Sequence, residues 1–244
     1  LGLRPIQESG RTPLLGWVAV TTSIPDSAPG REITLLRKRI SSADSLYRAW
    51  GQTRSRMGEE GELPGEARRI EAHLQDSLNE LSRGLIDDSW EPDLLRRVEI
   101  GKLDGDTRVL SIPSVRDRIV ERSIGASLTP LLDPLLSPSS FGYRAGCGVR
   151  DALTELAWLR DSGFSFVVRT DFTDCFDRIN RSRLMQMLAT ELDDSWVLSM
   201  IERLMNRRFS KKQKGNRRTS SAPGKLVAVG IPQGSPLSPL LSNL

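Results

Sequence analysis

Histidine, cysteine and tyrosine are scarce in this chain of 244 residues, which contains one, two and two of them. Two cysteines, Cys147 and Cys175, are too few for a disulfide framework or a zinc site, so we expect a reducing, cytoplasmic environment. The single histidine, His73, lies in a helical stretch among charged residues. We expect it on the surface, because catalysis by one histidine would need partners that the pattern does not supply.

Long apolar runs are also missing. No run approaches the roughly 18 residues that a membrane-spanning helix needs, and no signal peptide precedes Leu1, so we expect no membrane partner. A hydrophobic content of 38% and a charged content of 27% are typical of a globular protein with a core. The chain has no initiator methionine and stops within a predicted helix at residues 239–244, so we expect a fragment.

Acidic residues are absent from one stretch, residues 207–218, although the net charge of the chain is only +4. Seven basic residues occupy this stretch: Arg207, Arg208, Lys211, Lys212, Lys214, Arg217 and Arg218. A block of like charges repels itself and usually lies in solvent or on a polyanion. The sequence therefore predicts a basic surface here.

Helical patterns dominate the first half of the chain. Apolar residues recur at near-helical spacing over residues 32–57 and again at Ile70, Leu74, Leu78, Leu81 and Leu85, which predicts amphipathic helices with a buried face. Ser114 is a plausible N-cap of a further helix that continues towards Leu136.

Two β-prone runs, residues 94–100 and 107–112, flank an Asp-Gly pair, which predicts a hairpin. Lys102 and Arg108 lie on either side of its turn. Two cations at a hairpin tip could wrap a triphosphate. The alternative is an ordinary solvated hairpin.

Residues 164–168 are mostly β-branched or aromatic and predict a short buried strand that ends just before Asp171. A carboxylate at the mouth of such a strand is held in place yet accessible to a metal ion. The alternative is an aspartate that only caps the next turn. The preceding helix, residues 151–161, is predicted to turn Leu153, Leu156 and Leu159 inward.

The last third predicts helices at 181–192 and 195–205, then a short strand at 225–230. A Gly/Pro/Ser loop follows, in which Gln233 and Gly234 could present an amide and bare backbone to a ligand. An earlier loop, residues 137–146, carries Tyr143 and Arg144, which offer base stacking and phosphate contacts.

Four blocks of this sequence, taken in order, resemble those of reverse transcriptases, and most closely those of bacterial group II introns and CRISPR systems. The blocks are Arg108-Val-Leu-Ser-Ile-Pro-Ser-Val-Arg-Asp-Arg118, Ser139-Ser-Phe-Gly-Tyr-Arg144, the Asp171 stretch and Ile231-Pro-Gln-Gly-Ser-Pro236. The resemblance implies an α+β right-hand polymerase, helix-rich with small antiparallel sheets. Residues 31–160 would be fingers-like and 161–244 a partial palm that stops before the family's Tyr-x-Asp-Asp turn. Residues 1–30 stay unassigned.

The same resemblance implies roles for single residues. Asp171 would be the catalytic, metal-binding carboxylate, and the backbone carbonyl of Phe172 would join it at Mg²⁺ or Mn²⁺. Phe176 would pack against the sugar of the incoming nucleotide. Residues that would hold the rest of the nucleotide are Lys102, Arg108, Gln233 and Gly234. Residues that would contact nucleic acid are Arg116, Arg118, Tyr143, Arg144, Arg207, Arg208, Lys211, Lys212 and Lys214.

Asp174 and Asp177 are rival metal ligands, which we instead expect to orient their turn or to pair with Arg178. Asp174 also departs from the family pattern, which usually has glycine there. Phe141 and Tyr143 are swapped relative to the common Tyr-Gly-Phe. These departures bear on the branch of the family rather than on the activity.

The implied function is an RNA-directed DNA polymerase that adds deoxynucleotides to a primer 3′ end by two-metal phosphoryl transfer. Its partners would be an RNA template, a DNA or RNA primer and deoxynucleoside triphosphates, in a group II intron or in CRISPR spacer acquisition with a fused or associated integrase. The alternative is an RNA-binding maturase or an inactive polymerase-like module. The fragment alone is expected to be inactive.

Overall fold

The computed structural model describes residues 33–58, 63–101, 105, 107–212, 219–226 and 230–244, with only the backbone described at 211, 212 and 219–226. The predictions for residues 1–30, Lys102 and Lys214 lie outside these described residues. The same holds for the side chains of Lys211 and Lys212.

Four helices begin the described chain: α1 (Leu35–Ser41), α2 (Ala43–Gly58), α3 (Gly65–Ala72) and α4 (Leu74–Ile86). Thr34 caps α1, since its hydroxyl accepts the N–H of Arg37 at 3.1 Å. The apolar face predicted over residues 70–85 is buried as expected, but the helix divides at His73, whose φ of −130° and ψ of 45° are not helical. His73 is exposed, as predicted.

The predicted hairpin is confirmed. Strand β1 (Arg96–Gly101) pairs antiparallel with β2 (Thr107–Ile112), with Arg96 opposite Ile112 and Gly101 opposite Thr107. The hairpin brings Arg108 towards the turn end of β2. Arg108 is therefore exposed, on a strand whose pairing with β1 holds it in place.

Helix α5 (Val115–Leu132) is the central element of the fold. Ser114 caps it as predicted, because its hydroxyl accepts the N–H of Asp117 at 3.2 Å. The helix is buried along most of its length, and a short 3₁₀ turn continues it to Leu135. Helix α2 packs along α5, where the hydroxyls of Ser45 and Ser123 are 2.8 Å apart.

The second half contains five more helices and two strands in the described residues. They are α6 (Val149–Asp161), α7 (Cys175–Arg178), α8 (Arg181–Glu191), α9 (Ser195–Met205), β3 (Arg208–Lys212), β4 (Thr219–Leu226) and α10 (Ser238–Ser242). Asn180 and Asp194 cap α8 and α9 through their side-chain oxygens, which confirms the two helices predicted there.

Strands β3 and β4 form a second antiparallel hairpin. Leu95 joins it to the first hairpin: its N–H donates to the carbonyl of Arg208 and its carbonyl accepts the N–H of Ser210, both at 2.9 Å. The strand predicted at 225–230 overlaps the end of β4, whereas residues 227–229 lie outside the described chain.

Two predictions around Asp171 are wrong. Residues 164–168 do not form a buried strand: they have no regular secondary structure and are exposed, Phe166 by 94%. A strand needs a partner for its backbone groups, and no described segment pairs with them. The helix α6 does form, but Leu153 and Leu156 are exposed and Leu159 is only half-buried, because the strand that they would have packed against is not there.

One hydrophobic core extends through α1 to α5, α8, α9 and the loop before α10. With two small antiparallel hairpins attached to this helical core, the fold is α+β, as predicted. Within the described residues, no helix combines the length and the apolar character needed to cross a membrane.

Candidate functional site

The loop of residues 230–236, called the Gln233 loop below, contacts two other segments. The N–H of Ile231 donates to the carbonyl of Phe176 at 2.8 Å, and the carbonyl of Gln233 accepts the N–H of Ser111 at 2.6 Å. Gly230 and Gly234 have φ values of +73° and +109°, which side chains disfavour. The loop therefore meets strand β2 on one side and helix α7 on the other.

The amide of Gln233 bridges two charged residues from these segments. Its Oε1 accepts the Nε–H of Arg108 at 2.9 Å, and its Nε2 donates to Oδ2 of Asp177 at 2.8 Å. These two contacts match the chemistry of a side-chain amide, whose oxygen accepts hydrogen bonds and whose nitrogen donates them. Gln233 thus connects residues that are 125 and 56 positions away along the chain.

Asp177 lies in an environment that disfavours its charge. Partial burial raises the pKa of its carboxyl first, and the nearby charge of Asp174 raises it further, while the bond from Gln233 and the charge of Arg108 act the other way. Asp174 has a left-handed φ of 52° and pairs with Arg178 at 3.7 Å. These acids were expected to orient their turn or to pair with Arg178, and Asp174 does pair with Arg178. Asp177 instead orients Gln233.

Asp171 lies six residues before Asp177 in the exposed segment that precedes α7. No hydrogen bond or ion pair ties its carboxylate to the part of the chain that the structure describes. It is therefore available to a ligand from solvent, although it is not at the end of a buried strand as predicted. Phe172, the predicted carbonyl ligand, is exposed by 82%.

Phe176 is half-buried beside the Gln233 loop, and Tyr143 packs against it edge-on, with ring centroids 6.5 Å apart and planes at 78°. Edge-to-face contact is a favourable arrangement for two aromatic rings. Tyr143 itself is mostly exposed and has a φ of 58°. The structure therefore brings a residue predicted to contact nucleic acid next to one predicted to contact the nucleotide sugar.

Two of the predicted nucleic-acid contacts are engaged inside the protein. Arg207 is buried and pairs with Asp117 and Glu121, so its assignment to a basic surface is wrong. The next residue, Arg208, is exposed, whereas Arg207 lies just after the end of α9 and its side chain reaches the two acids on α5. Arg144 forms a two-pronged ion pair with Asp133 and also donates to the carbonyls of Ser137 and Ser140. Its role is therefore to hold its own loop.

The remaining described arginines of that set are accessible to different degrees. Arg116 and Arg208 are exposed, and Arg116 donates to Glu80 at 3.2 Å. Arg118 is half-buried. Exposed guanidinium groups can still exchange a surface ion pair for a phosphate, because a solvent-exposed pair contributes little stability.

The residues described by the structure include no group of three or more His, Cys, Asp or Glu side chains arranged to hold a metal ion. Magnesium sites at nucleotides often use one or two carboxylates, with the remaining ligands coming from phosphates and water. A single accessible carboxylate such as Asp171 fits that kind of site. It does not fit a cage built from protein ligands alone.

Sequence reasoning missed the acids that organise this region. Asp117 and Glu121 are buried, and they share the spacing of the apolar residues Ile124 and Leu128 on α5. Acids at the buried positions of an amphipathic helix were a visible signal. The contact of Asp177 with Gln233 had no comparable signal, since it depends on how distant segments pack.

Comparisons with known proteins identify the family to which the chain is similar. A family model described as Reverse transcriptase (RNA-dependent DNA polymerase) matches residues 100–244. The "Uncharacterized 91 kDa protein in cob intron" of Schizosaccharomyces pombe is 29% identical over 149 residues, which are 61% of this chain and 17% of that protein. The "Group II intron-encoded protein LtrA" of Lactococcus lactis subsp. cremoris is 23% identical over 171 residues, 70% of this chain and 27% of that protein.

A solved structure, "Partial Cas6-RT-Cas1--Cas2 complex", matches with a TM-score of 0.52 and 23% identity, covering 86% of this chain and 33% of that chain. At this identity the likeness concerns the fold, and it agrees with the predicted fingers and palm of a polymerase. The chain spans 17% to 45% of the length of the curated relatives it matches.

Proposed function

Because this chain belongs to the reverse transcriptase (RNA-dependent DNA polymerase) family, we propose that it supplies the nucleotide-binding part of an enzyme that copies RNA into DNA. The observation that carries the proposal is the convergence of Arg108, Phe176 and Gln233. They come from a hairpin, a short helix and a glycine-rich loop, and hydrogen bonds hold these three segments together.

Each of these residues has a defined part to play. Within the described residues, Arg108 donates a side-chain hydrogen bond only through Nε–H, to Gln233, so its remaining N–H donors are suited to the oxygens of a triphosphate. Phe176 would lie against the sugar and leave no room for a ribose 2′-hydroxyl, which gives a preference for deoxynucleotides by exclusion. Gln233 and Gly234 would border the nucleotide and the template.

Asp171 would hold Mg²⁺ or Mn²⁺, together with the backbone carbonyl of Phe172. When bound, the metal would neutralise phosphate charge and lower the pKa of the primer hydroxyl. The residues of the chain would do the rest by positioning the nucleotide, which is the main contribution of a protein to phosphoryl transfer. The exposed Arg116, Tyr143 and Arg208 and the half-buried Arg118 would face the template and primer.

We infer a group II intron or CRISPR setting for the reaction. The intron setting rests on relatives such as LtrA, and the CRISPR setting, with an associated integrase as partner, rests on likeness of fold. Binding measurements on the full-length protein separate the two. Preference for its own intron RNA over an unrelated RNA at equal salt supports the first, and co-purification with an integrase supports the second.

The test of the polymerase proposal is Asp171→Asn in the full-length protein, assayed by primer extension on an RNA template with Mg²⁺ or Mn²⁺. Loss of a metal-binding carboxylate should cost several kcal/mol of transition-state stabilisation, so we expect synthesis to fall at least about 100-fold. The matched control is Asp161→Asn, an exposed acid at the end of α6, which should retain synthesis.

Near-normal synthesis by Asp171→Asn would show that Asp171 is not a metal ligand. If the unaltered protein binds RNA tightly but makes no DNA under any of these conditions, the alternative function applies. The chain would then be an RNA-binding maturase or an inactive polymerase-like module.

A further inference from the structure

Ser235, near the end of the Gln233 loop, is buried rather than at the surface. Its hydroxyl donates to Oε2 of Glu121 at 2.5 Å, and both residues are buried. The same hydroxyl accepts the N–H of Leu237 at 3.2 Å. A hydroxyl that is both donor and acceptor in a buried site is fixed in one rotamer, so Ser235 fixes the end of the loop.

Glu121 cannot move to follow the loop, because its other oxygen is also held. Oε1 accepts from Nη2 of Arg207 at 2.6 Å, and the side chains of both residues are at most 2% exposed. Arg207 is itself fixed, since its Nε donates to the carbonyl of Leu204 at 2.9 Å and its Nη1 to Asp117 at 3.2 Å. A charged hydrogen bond between two immobilised partners holds position well.

Because Ser235 is only two residues from Gln233, fixing Ser235 also fixes the backbone at Gln233. The N–H of Ser235 donates to the carbonyl of Pro232 at 3.3 Å, which closes a tight turn around Gln233. On the other side, Gln233 is tied to Ser111 of β2 through its own carbonyl. The position of the Gln233 side-chain amide is thus fixed by two contacts of its loop, one with the hairpin and one with Glu121.

A buried acid is not needed for stability at such a position, because apolar groups of similar size often replace buried ion pairs without loss. We propose that Glu121 and Ser235 are positioning residues for nucleotide binding. They place the Gln233 amide between Arg108 and Asp177 and touch neither substrate nor metal. The inference rests on the proposed polymerase function and adds two residues that the sequence analysis did not name.

The experiment is Ser235→Ala in the full-length protein, with two readouts. Loss of a hydrogen bond to a charged group should raise the KM for deoxynucleotides about tenfold, while kcat at saturating nucleotide changes less. Amide hydrogen exchange without nucleotide should become faster at Ser111 and Ile231, whose N–H groups donate to Gln233 and Phe176.

Three further variants, Ser127→Ala, Glu121→Gln and Glu121→Ala, serve as comparisons. Like Ser235→Ala, Ser127→Ala removes a buried hydroxyl, in this case one on α5. Ser127 Oγ has no hydrogen-bond partner among the described residues, so neither the KM nor the exchange rates should change. Glu121→Gln keeps a bond to Ser235, because the amide can donate to the hydroxyl while its carbonyl faces Arg207. It should recover most of the nucleotide affinity that Glu121→Ala loses.

The outcomes separate this inference from the proposed function. If the unaltered protein makes DNA and Ser235→Ala leaves the KM for nucleotide unchanged, the positioning role is overturned, whatever the exchange rates do. If the unaltered protein makes no DNA, the polymerase proposal fails. The exchange rates at Ser111 and Ile231 then decide alone whether Ser235 fixes the loop.

Discussion

Gly230 is the residue at which the candidate site tolerates least change. A Cβ built on it would lie 2.2 Å from the carbonyl oxygen of Phe176 and 2.5 Å from the Cα of Asp177. Its φ of +73° is a second reason for glycine, and its own carbonyl accepts the Nε–H of Arg181. The contact between the loop and α7 therefore depends on the absence of a side chain.

We predict that Gly230→Ala lowers the free energy of unfolding by at least about 2 kcal/mol, because the added methyl meets backbone atoms and the left-handed φ is strained. Urea unfolding measures this change. The control is Gly51→Ala in the middle of α2, where nothing lies within 4 Å of the added Cβ. That variant should gain about 0.5–1 kcal/mol from helix propensity. Equal effects of the two changes would contradict the close approach seen at Gly230.

At the scale of elements, the sequence predicts what depends on local chemistry. Helices α5, α8 and α9 begin where Ser114, Asn180 and Asp194 offer capping oxygens, and strands β1 and β2 pair on either side of the Asp-Gly sequence. These signals lie within a few residues of the element that they define. The existence of these elements was therefore predictable from the sequence.

Elements that need a distant partner were not predictable in the same way. Residues 164–168 have strand composition, but a strand forms only beside another one, and the described chain provides none. The site shows the same division. Arg108, Phe176 and Gln233 were identified by their motifs, whereas the bond from Gln233 to Asp177 and the burial of Arg207 follow from packing between distant segments.

The exposed apolar faces of α6 and of residues 164–168 lead us to predict dye binding by the chain Leu1–Leu244 in solution. Leu153 is 58% exposed and Phe166 is 94% exposed, and both line one apolar surface groove. Surfaces of this kind bind hydrophobic dyes and promote self-association. We expect strong fluorescence of an added dye such as ANS, which should fall in the double variant Leu153→Glu/Phe166→Glu.

The control for dye binding is Leu35→Glu, which changes an exposed leucine at the start of α1 and should leave the fluorescence unchanged. If the double variant binds as much dye as the unaltered chain, residues 164–168 are covered in solution.

At the scale of the whole molecule, buried polar contacts join the two halves of the chain. Arg37 of α1 donates to the carbonyls of Leu85 and Ile86 at the end of α4, both at 2.9 Å, and lies over the ring of Trp196 on α9. Arg207, after α9, pairs with Asp117 and Glu121 on α5. Since one hydrophobic core spans the same helices, residues 33–244 should unfold cooperatively.

The contact between α5 and the residue after α9 contains one buried cation, Arg207, and two buried acids, Asp117 and Glu121. Burial raises the pKa of Asp117 from 3.8 to about 8; the charges of Glu121 and Asp93 raise it too, whereas Arg207 lowers it. The folded protein therefore holds a proton on Asp117 that the unfolded chain releases near pH 4. Between about pH 4 and 8 the folded state binds more protons than the unfolded state, so this group makes stability fall as the pH rises.

We predict that Asp117→Asn removes this part of the pH dependence. Asparagine resembles the protonated acid, and its carbonyl can still accept from Arg207 and from the N–H of Asp93, so the variant should differ little from the unaltered chain near pH 4. The free energy of unfolding of the variant, compared with that of the unaltered chain at the same pH, should then increase steadily up to about pH 8. Urea unfolding at a series of pH values measures this difference. Asp193→Asn, an exposed acid between α8 and α9, should show no such trend. A variant that loses stability relative to the unaltered chain as the pH rises would mean that Asp117 is ionised in the fold, with Arg207 outweighing the cost of burial.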